Sequence, residues 1–188
     1  MSDRLLHALR EATASRHAEL DQSLALAASG LTLERYVAFL RGSLAALEDL
    51  EPAIAPLCWR PELRRCACLR HDLEELGAPP TASPEIEVSP APAGRAGLLG
   101  CAYVVEGSTL GGLVLAERVE RALATHATSY LRLRGADTAR AWRAFLAVLD
   151  EQDAAMTEAD RDRACTAARA TFDRYREALL AHAVHAVH

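Results

Sequence analysis

Aromatic residues are scarce in this chain: three Phe, two Trp and four Tyr make up 5% of 188 residues. Strands favour aromatic and β-branched side chains, so a chain that is instead rich in Ala and Leu is expected to be helical. Excess positive charge is lacking too. The formal net charge is −5 and the arginines are scattered, which excludes the basic field of a nucleic-acid-binding protein. No apolar run approaches the roughly 18 residues of a membrane helix, and Met1-Ser2-Asp3-Arg4 lacks the apolar core of a signal peptide. A cysteine framework is missing as well. Cys58, Cys66, Cys68, Cys101 and Cys165 are odd in number and fit no zinc spacing, since Cys66-Ala67-Cys68 has no matching second pair. Reduced thiols in a cytoplasmic protein are expected, with neither nucleic acid nor membrane as partner. There is also no Walker loop, dinucleotide fingerprint or Ser-His-Asp arrangement.

What is present is glycine in an unusual place. The segment Cys101-Ala102-Tyr103-Val104-Val105-Glu106-Gly107-Ser108-Thr109-Leu110-Gly111-Gly112 reads as the middle of a helix from about Gly94 to Ala124, yet it carries three glycines. Each costs roughly 1 kcal/mol relative to Ala, so the three cost about 3 kcal/mol out of a typical folding free energy of about 5–15 kcal/mol. Gly107 and Gly111, four apart, share a face with Tyr103 and Gly100, and Ser108 and Gly112 form the adjoining row. Such a bare stripe suits either a flat ligand or another helix packed close. The hydroxyls of Tyr103 and Ser108 on or beside it favour the ligand. Glu106 is expected to point away from the glycine face into a salt bridge or an N–H contact, and the glycines permit a kink.

The N-terminal segment supplies a second pattern. By steps of three and four, Leu5, Leu9, Thr13, His17, Leu20 and Leu24 fall on one helical face, which turns His17 inward with the leucines. Arg10 lies seven residues earlier, near the same azimuth and about 10 Å along the axis. A lone inward His is ordinarily a core residue. With a guanidinium two turns away it also matches a flat metal macrocycle with an acidic edge, the imidazole on the metal and the guanidinium on a carboxylate.

Leu9-Arg10-Glu11-Ala12-Thr13 followed by His17, together with Tyr103-Val104-Val105-Glu106-Gly107-Ser108-Thr109-Leu110-Gly111-Gly112, resembles the heme oxygenase family. The distal segment is most similar to the bacterial branch found beside bacteriophytochromes and in iron-acquisition systems. The resemblance continues through Tyr130-Leu131-Arg132-Leu133-Arg134-Gly135, Trp142 with Phe145, and Thr171-Phe172. It implies an all-α fold with heme between the N-terminal helix and the Gly-kinked helix, and oxidative opening of heme to biliverdin, CO and ferrous iron. It maps the proximal iron ligand onto His17 and a basic propionate position onto Arg10, with Arg143 as a second candidate or else a solvated surface residue. On the distal side it points to Gly107, Gly111, Gly112, Tyr103 and Ser108. The better-known animal enzymes have an aspartate where Ser108 stands, so the anchor for the proton-donating water differs here. Heme would be both substrate and cofactor. Electrons would come from an external ferredoxin, flavodoxin or reductase, and a bacteriophytochrome is a possible acceptor of the product.

Two other functions suit the same features less well. A heme carrier on this fold would ligate heme without turnover. A thiaminase-like hydrolase, or an oxidase of quinone precursors, would act on another small molecule, but Cys101 is the only thiol near the glycine motif. Neither explains Arg10, His17 and the glycines together.

The rest of the chain reads as one domain over residues 1–188. The first helix is expected from about Asp3 to Ala28, closed by Ser29-Gly30, and the second is capped by Thr32 and ended by Pro52 and Pro56. A third runs from Pro61 to about Leu76 before Gly77. Residues 78–93, with five of the eight prolines, form a long loop. Residues 125–137 are irregular. A short helix over Thr138–Leu149 buries Trp142, Phe145, Leu146 and Leu149, and Thr157 with Asp160 caps the last helix, to about Val184. Tyr130, Arg132 and Arg134 are further candidates for the heme edge. His126 is expected in an exposed loop, and His182, His185 and His188 in a frayed terminal turn.

Overall fold

A computed structural model describes residues 4–23, 30–57, 64–80, 92 and 94–184. Among them are seven α-helices and no strand: α1 (Arg4–Ser23), α2 (Leu33–Ile54), α3 (Arg65–Glu75), α4 (Gly94–Gly107), α5 (Gly112–Leu123), α6 (Thr138–Asp153) and α7 (Glu158–Val184). The expected ends of the first helix at Ala28 and of the third at Pro61, most of the proline-rich loop, Leu24, Cys58, His185 and His188 fall outside these residues.

The longest helix, α7, is the spine against which α1, α2 and α4 pack. Its buried face is rich in small residues, with Ala164, Ala167, Ala168 and Ala178 beside Phe172 and Tyr175. Small residues let neighbouring backbones approach closely. A Cβ added to Gly100 on α4 would lie 1.9 Å from the Ala164 carbonyl oxygen, and one added to Gly42 on α2 would lie 2.8 Å from the Leu179 Cα. Much of the remaining core is leucine from α1, α2 and α3, including Leu5, Leu9, Leu40, Leu47 and Leu69, each at or below 1% exposure. Each such burial contributes about 1.5–3 kcal/mol.

Two expected caps are present. The Thr32 hydroxyl accepts the Arg35 N–H at 3.3 Å. Thr157 and Asp160 bond reciprocally, Asp160 N–H to Thr157 Oγ1 at 3.2 Å and Thr157 N–H to Asp160 Oδ2 at 3.0 Å. Pro52 does not end α2. It sits in the last turn, and the helix runs to Ile54 and tightens into a 3-10 turn over Ala55–Leu57. A proline so near the C-terminus removes only one ladder bond. The expected short helix α6 extends to Asp153. His182 is buried at 7% exposure inside α7 rather than frayed, whereas His126 is exposed as expected.

The glycine helix is the main departure from a continuous rod. It stops at Gly107, passes through a 3-10 turn over Ser108–Gly111 and resumes as α5. By composition alone Gly94–Leu123 is long and apolar enough to cross a bilayer, contrary to the reading that no run approaches that length. In the fold it is divided at this turn, and Leu99, Cys101, Ala102, Val105, Ala116 and Val119 are buried in the core.

Candidate functional site

The stripe on α1 begins as expected and ends differently. Leu5, Leu9 and Thr13 are buried, and the Thr13 hydroxyl is turned back onto the Leu9 carbonyl at 2.7 Å. One turn later His17 is exposed, although Leu20 beyond it again packs against the core. Its ring meets Phe172 of α7 edge-on, with centroids 5.9 Å apart. The neighbouring Arg16 Nε donates to Asp173 Oδ1 at 2.9 Å. The His17 end of α1 is therefore tied to α7 by an aromatic contact and an ion pair at adjacent residues.

Tyr103 joins α1 to the glycine segment. Burial pushes its phenol above the usual range, while the Thr13 hydroxyl and the Arg10 guanidinium beside it pull the other way. Its ring lies 5.9 Å from that of Trp142 on α6, which in turn lies 5.5 Å from Phe145. The Trp142 ring is also the nearest group to Gly107, 3.8 Å from where a Cβ would stand. Arg10 on α1 and Arg143, the residue after Trp142, are both exposed.

The glycines separate into two kinds. Gly100 and Gly112 are used for backbone packing, since a Cβ on Gly112 would lie 2.4 Å from the Leu131 carbonyl oxygen. Gly107 has only the Trp142 ring at ordinary contact distance, and Gly111 has nothing within 4 Å. The open glycines are thus Gly107 and Gly111. Gly112 is buried, with its bare face filled by the 129–134 turn. Between the two open glycines, Ser108 is exposed and its hydroxyl donates to the Val105 carbonyl at 2.9 Å. Leu110 and Val114, at 45% and 59% exposure, add apolar surface on the same stretch.

Beneath Ser108 lies a polar cluster that sequence reading did not assemble. Burial raises the phenols of Tyr130 and Tyr175, which interact with each other and with the Ser108 hydroxyl. The Tyr175 hydroxyl has no hydrogen bond of good geometry. The Arg65 guanidinium lies alongside and is fully buried, its Nη2 bonded to Glu106 Oε1 at 2.7 Å. Arg134 takes the other oxygen of Glu106. Glu106 is thus turned away from the open glycines into salt bridges, as expected. Of the three heme-edge candidates, Arg134 is buried on Glu106, Arg132 pairs with Glu120 at 2.7 Å, and Tyr130 lies in the hydroxyl cluster. Arg65 sits in an arginine-rich stretch that reads as surface, so no local signal announces its burial.

Phe172 and Tyr175 bring these pieces together. They are three residues apart on α7, about one turn or 4.5 Å along its axis. One carries the His17 ring, and the other meets Ser108. An imidazole on one element, an uncrowded backbone with a hydroxyl on another, and exposed guanidiniums nearby make a donor set that fits a flat, metal-bearing, carboxylate-edged molecule.

Comparison with known proteins gives this donor set its context. A family model described as heme oxygenase matches residues 3–181. The chain belongs to the heme oxygenase family. A heme oxygenase from Xanthomonas campestris pv. campestris (strain 8004) is 34% identical over 153 residues, covering 80% of this chain and 88% of that one. In architecture the chain is similar to a heme oxygenase from Neisseria meningitidis solved with NO and CO bound. That likeness has a TM-score of 0.78 at 22% identity and covers 95% and 92% of the two chains. The helical heme oxygenase fold expected from the two motifs is the fold observed.

Proposed function

We propose that this heme oxygenase opens heme to biliverdin, CO and ferrous iron, using O2 and electrons from an external donor such as a ferredoxin, flavodoxin or reductase. The observation that carries the assignment of its residues is that His17 is held edge-on to Phe172 of α7, with ring centroids 5.9 Å apart, while Gly107 and Gly111 keep bare, uncrowded faces.

In this reading His17 holds the iron from α1. Phe172 and the Arg16–Asp173 pair fix the helix end that presents it. Arg10 and Arg143 pair with the propionates, where a planar guanidinium matches a carboxylate. Gly107 and Gly111 let the backbone lie flat against the opposite face of the substrate, which leaves room for reaction at one meso carbon. Tyr103 and Trp142 close that side against water. Ser108, which lacks a charge, anchors a water through Oγ and so holds a proton near the site. The same reading places the enzyme in the cytoplasm, where thiols such as the free Cys66, Cys68, Cys101 and Cys165 persist. It also makes a bacteriophytochrome a suitable acceptor for the bile pigment.

The test is hemin titration of the purified protein by absorbance, followed by reductant and catalase in air. A saturable Soret band that decays into a biliverdin spectrum is expected. A stable band would instead support a carrier, and no saturable band would sink the assignment.

A further inference from the structure

We propose that Glu106 is a positioning residue: held between Arg65 and Arg134, it sets the helix break at Gly107 and thereby where Ser108 and the open glycines lie. The role assigned to Ser108 rests on the heme reading; the brace itself does not.

Glu106 is the penultimate residue of α4, just before Gly107, and its side chain is fully buried. Each carboxylate oxygen has its own arginine, Arg65 on Oε1 and Arg134 on Oε2. Both cations come from elements anchored elsewhere. The Arg65 and Cys66 N–H groups at the start of α3 donate to the Glu51 carboxylate of α2 at 2.7 and 3.1 Å. The 129–134 turn that carries Arg134 is held at its other end by Asp72 of α3, whose carboxylate accepts the Ser129 and Tyr130 N–H groups at 2.8 Å each. In its middle, the Leu131 carbonyl lies on Gly112. The turn therefore grips the broken helix on both sides of the 3-10 segment, through Arg134 before it and Leu131 after it.

Within the segment the backbone is drawn tight. The Ser108 and Thr109 hydroxyls donate to the Val105 and Glu106 carbonyls at 2.9 and 2.7 Å, an arrangement that competes with the α-helical ladder. With three glycines the segment has little propensity of its own to choose where to bend. The choice is imposed from outside, by a buried carboxylate between two buried cations. Buried ion groups of this kind add little stability relative to apolar replacements, and their best-attested use is to select one register or geometry. The three side chains lie on the face away from the open glycines, so Glu106 acts through the backbone.

The experiment is Glu106→Gln, read in two states. In the apoprotein, amide hydrogen exchange over residues 106–112 should speed up by roughly 10-fold or more, while the His17 segment of α1 keeps its protection. In the heme-loaded protein, affinity should hold within about 3-fold, because His17 is untouched, but the product should spread over more than one biliverdin isomer. Arg134→Lys, which keeps the charge, should restore most of the protection and the single isomer relative to Arg134→Met; this pair carries the test if Glu106→Gln does not fold. Unchanged exchange over 106–112 in folded Glu106→Gln or Arg134→Met would overturn the brace. A faster-exchanging segment with a single unchanged isomer would overturn its role in positioning. Failure of the wild type to bind heme would count against the functional reading alone, since the exchange measurement needs no heme.

Discussion

Gly100 and Gly112 differ from Gly107 and Gly111 in one physical respect: what lies where a side chain would be. At the first pair it is another backbone, the Ala164 carbonyl at 1.9 Å and the Leu131 carbonyl at 2.4 Å. At the second pair it is an indole ring at 3.8 Å, or nothing within 4 Å. A run that looks uniform in sequence therefore contains two packing glycines and two whose bare faces stay open. Part of the stripe is used for close backbone packing, and part of it is left bare.

The largest effect should come from filling the packing pair. Gly100→Ala forces a Cβ into backbone that cannot rotate away, and overpacking of this kind costs about 3 kcal/mol or more. Gly112→Ala should cost somewhat less, about 2 kcal/mol, because its obstacle belongs to a turn. Denaturant midpoints of the apoproteins give both numbers. Apoproteins as stable as the wild type would mean the two glycine classes are not distinct.

Next comes the residue that needs no fold change to act. His17 is exposed, so His17→Ala should leave apoprotein stability within about 0.5 kcal/mol. It should nevertheless shift the Soret band and abolish ring opening. An unchanged spectrum with normal turnover would remove His17 from the site. Arg10→Glu should weaken hemin binding or broaden the biliverdin isomer distribution; identical affinity and product would make Arg10 a surface residue.

Gly111→Ala sharpens the contrast, since its effects on fold and on site should have opposite signs. The backbone there, φ −82 and ψ −9, suits alanine, so the apoprotein should gain up to about 1 kcal/mol. Heme affinity should fall, measured by the same titration. A neutral effect on binding would show that the open space at Gly111 is not used.

The smallest effect concerns two carboxylates near the surface. Hydrogen bonds from Arg132 and Thr128 hold Glu120 at about 2. Those from Thr157 and Arg163 hold Asp160 at about 2. A depressed carboxylate pKa gives stability that is fully present above the unfolded value, 4.5 for Glu120 and 3.8 for Asp160, and is lost as pH falls towards 2. Both groups lie near the surface, where solvent screens the gain. Urea midpoints should drift down modestly between pH 5 and 2.5, and Glu120→Gln should flatten part of that slope. An unaltered slope in that variant would leave Glu120 without a stabilising role.

The sequence by itself determined the helices, most of their caps and the two motifs that mark the family, because these depend on local periodicity, side-chain capping and residue type. It also located the break, since three glycines in one helix leave few other places to bend. Only the tertiary structure decided which glycines pack and which stay open, because that depends on where Ala164 and Leu131 come to rest, more than fifty residues and about twenty residues away along the chain. It also decided that the stripe on α1 opens at His17, that Arg65 is buried, and that Arg134 pairs with Glu106. An arginine carries the same local signal whether it ends in water or against a carboxylate from another helix. The choice is made by long-range packing, where a buried charge is tolerated only if its partner arrives with it.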